Sequence, residues 1–143
     1  MYFAIIDAQS DISRLTTIAY GETIYDVTRW FADEFIDTYD MYRDDSEEQE
    51  KEGEKVINQC EELCSLAEQD ALELNDIEGL SFAVSELSVE LCSVYDNFSD
   101  FCDGFSEFVK DKPKYVKIVP NKNASSLVDE CDRLNTLLVK ASI

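Results

Sequence analysis

The chain has 143 residues, 45% of them apolar and including eight Phe, seven Tyr and one Trp; its 12 Lys and Arg face 32 Asp and Glu with no His, for a net charge of −20. That length and apolar content predict one ordered domain spanning 1–143, while the charge argues against direct binding of DNA, RNA or anionic lipid. Without His, the usual Ser or Cys nucleophile relays and most zinc hydrolase sites are excluded, and the four Gly at 21, 53, 79 and 104 are too far apart for a phosphate-cradling loop.

Tyr2 to Asp7 is an apolar run and Arg14 to Tyr20 is a second, rich in Thr and Ile, with the polar stretch Ala8 to Asp11 between them. This pattern predicts two strands joined as a hairpin. Gly21 breaks the second strand, and Thr23 with Asp26 three residues on reads as a capping box. The helix it opens is expected to run to about Tyr42, with Ile24, Val27, Trp30, Phe31 and Phe35 on one face.

Ser46 to Gln49 is a second capping signal, and Val56, Cys60, Leu63, Ala67 and Leu74 continue as one stripe, so a second helix is expected to about Leu74. Leu80, Val84, Leu87, Leu91, Val94, Phe98, Phe101, Phe105 and Phe108 then recur at alternating steps of 4 and 3. The repeat predicts a helix over about 77–109, near 50 Å long at ~1.5 Å per residue, with a kink or break near Gly104. It is expected to fold back on the second helix as a long antiparallel helical hairpin; such a seam can close within one chain or between two, as in a homodimer. Lys114 to Val119 reads as a strand, and Ser125 or Ser126 caps a last helix carrying Leu127, Cys131, Leu134, Leu138 and Ala141. The expected fold class is therefore α+β and helix-rich: a small antiparallel three-stranded sheet, made of the hairpin and one late strand, with four helices.

The strand leading into Ile18-Ala19-Tyr20-Gly21-Glu22-Thr23, followed by an amphipathic helix with Trp30-Phe31, resembles the opening of many small, mostly uncharacterised bacteriophage proteins. The resemblance covers the first quarter of the chain and carries no chemistry. It implies a phage source, and with it action in the cytoplasm of a host cell.

Three chemical features have competing explanations. Asp7 at a strand end with Asp11 four residues on resembles the start of a Mg²⁺ site, but both read better as turn residues of the hairpin. Cys60 and Cys64, one helical turn apart, could bind a soft metal; on an apolar stripe they are expected to behave as small hydrophobes. The five Cys include no Cys-x-x-Cys pair and no basic n-region precedes the N-terminal apolar run, so reduced thiols in a cytoplasmic protein are expected. The acids from Asp96 to Glu107 do not fit a calcium loop, because aligning Gly104 with the loop glycine puts Phe101 and Lys110 at ligand positions. No catalytic residue, metal or cofactor is expected.

The acids themselves carry the remaining signal. From Asp33 to Glu54 there are eleven, against Arg43 and Lys51. Carboxylates four residues apart on a helix stand about 6 Å apart, close to the phosphate spacing of a nucleic-acid strand. Ordered rows of them can therefore imitate a phosphate backbone and occupy the basic groove of a nucleic-acid-handling protein, and phage inhibitors of CRISPR effectors and restriction enzymes use this principle. The candidate contacts are Asp33, Glu34, Asp37, Asp40, Asp44, Asp45, Glu47 and Glu48, with Tyr39 and Tyr42 as aromatic anchors. A second set, Glu86, Glu90, Asp96, Asp100, Asp103 and Glu107, is expected on the outward side of the long helix. An immunity or antitoxin protein neutralising a cationic partner, an acidic scaffold without mimicry, and a metal-dependent enzyme built on Asp7 are the alternatives. A charge far beyond the ~2 to 8 units that keep a small domain soluble gives a binding role more weight than it has in an average protein, where a merely solvated surface is the usual reading.

Overall fold

A computed structural model of the chain describes residues 1–11, 14–111 and 116–120. The hairpin forms from β1 (Tyr2–Gln9) and β2 (Arg14–Gly21), antiparallel in a register that sets Phe3 opposite Tyr20 and Ile5 opposite Ile18. Almost every residue of both strands is buried, because the sheet is covered on both faces. Alternation then divides them. Ala4, Ile6 and Ala8 point to one layer of the core, and Phe3 and Ile5 to the other.

Helix α1 (Ile24–Tyr42) opens on the expected capping box: the Thr23 side chain accepts from the Asp26 amide, and the Asp26 carboxylate accepts from the Thr23 amide at 3.1 Å. Its Val27, Phe31 and Phe35 lie on the Ala4–Ile6–Ala8 face of the sheet. Helix α2 (Glu47–Glu68) starts at Ser46, whose hydroxyl accepts from the Gln49 amide, and it packs on α1 through Gly53, Val56, Cys60, Cys64 and Ala67. It ends at Glu68, short of the expected Leu74: Asp70 takes a left-handed φ of 55°, and a one-turn helix α3 (Leu74–Ile77) follows. The helical hairpin of this protein is thus α1 against α2.

The expected 77–109 helix does not exist. Its first half is a second β-hairpin, β3 (Ser81–Val84) and β4 (Leu87–Tyr95), and only its second half is helical, as α4 (Phe98–Asp111). The 4-and-3 repeat arises by aliasing. Within a strand every second inward residue is four positions on, as from Leu87 to Leu91; the two-residue connection Ser85-Glu86 makes the step from Val84 to Leu87 three. A bulge makes the step from Leu91 to Val94 three as well, since Leu91 pairs with Ile6 while Ser93 pairs with the preceding Ile5. Ser85 makes the tight connection with a left-handed φ of 54°.

The expected three-stranded sheet is likewise corrected. Four strands run antiparallel in the order β2-β1-β4-β3, and β5 (Val116–Pro120) extends the sheet beyond β2. β5 joins the first hairpin as expected of the late strand, but it runs parallel to β2, with Ile18 opposite Ile118. The protein is α+β, with α1 and α2 on one sheet face and α4 on the other. The helix expected after Ser125 or Ser126 lies outside the described residues.

Two close approaches fix the helices. Tyr39 of α1 lies over α2 at Gly53, where an added Cβ would come within 2.1 Å of the ring, and its hydroxyl donates to the Gln49 carbonyl at 3.2 Å. On the opposite face, Tyr95 lies over Gly104, where a Cβ would meet the hydroxyl at 1.9 Å. Gly104 is therefore the place where a strand tyrosine fits against the helix, and α4 continues through it.

Candidate functional site

On α1, Asp33 is half-buried and ion-paired with Arg29 at 2.8 Å. Arg29 reaches on to Glu61 of α2, with contacts of 3.0 and 3.1 Å. The Glu61 carboxylate, then Asp33, raise the Arg29 pKa, and Arg29 in turn lowers that of Glu61. This pair ties the two helices together and removes Asp33 from any role that needs a bare carboxylate. Glu34 and Tyr42 are half-buried, whereas Asp37 and Asp40 are exposed.

Tyr39 is 2% exposed, so it belongs to the core and cannot anchor a partner. Its place in the sequence, four residues after Phe35, carries the signal of that burial. Arg43 sits over its ring at 5.8 Å, and the guanidinium is held protonated by Tyr39 first, then by Asp40 and Glu50.

The connection between α1 and α2 is ordered by its own polar groups. The Asp44 carboxylate accepts from the Ser46 amide at 2.9 Å and is held below the usual carboxylate range by Ser46. Asp44 donates its amide to the Gln49 side chain, and Gln49 is buried. Asp45, Glu47 and Glu48 are exposed around this corner, and the exposed set continues along α2 through Glu50, Glu52 and Glu54. These last three belong with the candidate contacts; the stripe of Val56, Cys60 and Leu63, carried back one turn, is the signal that could have shown them to point outward.

Among the described residues, the ion pairs are Arg14 with Asp7, Arg29 with Asp33 and Glu61, and Lys110 with Glu107. None involves Asp37, Asp40, Asp44, Asp45, Glu47, Glu48, Glu50, Glu52 or Glu54. Nine of the eleven acids between 33 and 54 are therefore exposed without an ion pair among the described residues, on two helices and the tight corner joining them.

The second set of acids does not form one face. Glu86 is in the β3–β4 connection, and Glu90 is on β4 directly opposite Asp7. Asp96 and Asp100 accept from the Asn97 side chain at 3.1 and 2.8 Å where α4 begins, and Glu107 pairs with Lys110 at 3.1 Å. Asp103 is exposed on α4. Because α4 and α1–α2 lie on opposite sheet faces, the acids of α4 are separate from the corner.

Asp7 is a strand residue, not a turn residue. It is 2% exposed, and the Arg14 guanidinium spans both its oxygens at 2.6 to 3.2 Å. Asp7 first, then Cys92 and Glu90, raise the Arg14 pKa. Among the described residues, no three His, Cys, Asp or Glu side chains converge as a metal site requires.

Cys60 and Cys64 are buried in the α1–α2 seam, and burial pushes their thiols up to about 12 and about 11. Thiolate is the reactive form, so at pH 8 iodoacetamide is expected to modify the half-buried Cys92 and Cys102 of the folded protein well before Cys60 and Cys64. Peptide mass spectrometry reads the order. Early modification of Cys60 or Cys64 would mean that the seam opens.

No helix among the described residues is long and apolar enough to cross a membrane. Comparison with protein-family models, with curated proteins and with solved structures gave no match.

Proposed function

We propose that this chain is a polyanionic inhibitor: it presents the α1–α2 corner to a basic nucleic-acid-handling protein and blocks that protein's nucleic-acid site by charge mimicry. The carrying observation is the set of nine exposed acids on a locked helical corner, Asp37 to Glu54, outside every ion pair of the described residues. Glu48 with Glu52, and Glu50 with Glu54, are spaced i to i+4 on α2, about 6 Å apart along the axis. An array held in place loses little ordering entropy on binding, and its field steers a cationic partner from a distance. The partner class is a host defence enzyme of the CRISPR-effector or restriction type, met in the host cytoplasm; the phage-like opening of the chain favours it.

The test is a pull-down from bacterial lysate, with elution by a salt gradient. The expected catch is a nucleic-acid enzyme that elutes steeply with salt, loses its nucleic acid on binding, and is no longer retained by the variant D44K/D45K/E47K/E48K. Equal retention by that variant, or a bound enzyme still holding its nucleic acid, would overturn the proposal.

A further inference from the structure

We draw no further inference here: the strongest candidate, the row of oxygen-bearing residues that Ser81, Glu90, Asp7 and Thr16 form across β3, β4, β1 and β2, carries nothing, because the Arg14 guanidinium already takes both oxygens of Asp7 and nothing among the described residues shows the buried Thr16 hydroxyl aimed at a ligand.

Discussion

Replacing Arg14 with methionine is expected to destabilise the fold by about 3 to 5 kcal/mol, the cost of leaving one member of a buried ion pair alone. The asymmetry of the pair makes Arg14 the critical partner. Its side chain is 27% exposed and can turn to water, but Asp7 is 2% exposed. Without Arg14 the carboxylate keeps, among the described residues, only a long contact from Gln9 at 3.5 Å, and it faces Glu90, a second carboxylate, directly across the β1–β4 ladder. Asp7→Leu should therefore cost clearly less than Arg14→Met. The double variant Asp7→Leu/Arg14→Met should recover most of the loss, since a buried pair replaced by apolar side chains is often neutral. Urea unfolding of the three proteins checks this. Equal losses in the two single variants would mean that the pair is not what keeps Asp7 in the sheet.

Gly53→Ala is expected to destabilise by about 2 kcal/mol, against the usual gain of ~1 kcal/mol when alanine replaces glycine inside a helix. The new methyl would occupy the position of the Tyr39 ring, and Tyr39 is both buried and held by its bond to the Gln49 carbonyl. Overpacking and loss of that bond outweigh the helical gain. The sign should invert in a Tyr39→Ala background, where the same substitution becomes stabilising; thermal melts of the four proteins close the cycle. Gly104→Ala should cost less, because the Tyr95 hydroxyl and ring end that it meets belong to a half-buried side chain with more room to tilt away than the buried Tyr39.

Wherever local signals decided the structure, the sequence was readable. Thr23 with Asp26 and Ser46 with Gln49 mark two helix starts that are present, and the apolar runs at 2–7 and 14–20 are the first hairpin. The reading failed where two periods coincide. Inward residues of β3 and β4, sampled every four positions and stepped by three at a turn and a bulge, reproduce a helical repeat. The distinguishing residues are Phe82 and Val89, inward positions that the strand alternation demands and the helical stripe omits. No local signal foretold the parallel pairing of β5 with β2, because it joins segments about a hundred residues apart. For the candidate site, the acids of the corner could be counted from the sequence, but their sorting required coordinates: Tyr39 goes inside, Asp33 goes to Arg29, and the acids from Glu86 to Glu107 divide among a turn, a strand and a helix.

The order of the sheet also bears on how the chain matures. β1 is synthesised before both of the strands that flank it, β2 and β4, and is the central one of the sheet when folding is complete. A nascent chain therefore carries Phe3, Ile5 and Ile6 with one edge unpaired until Leu87 to Tyr95 has left the ribosome, and the β2 edge waits longer still, for Val116 to Pro120. Distant pairings of this kind slow folding and lengthen the exposure of sticky segments. An excess of negative charge keeps such unfinished chains apart from one another, so the acidity found on the finished surface also protects the chain before that surface exists.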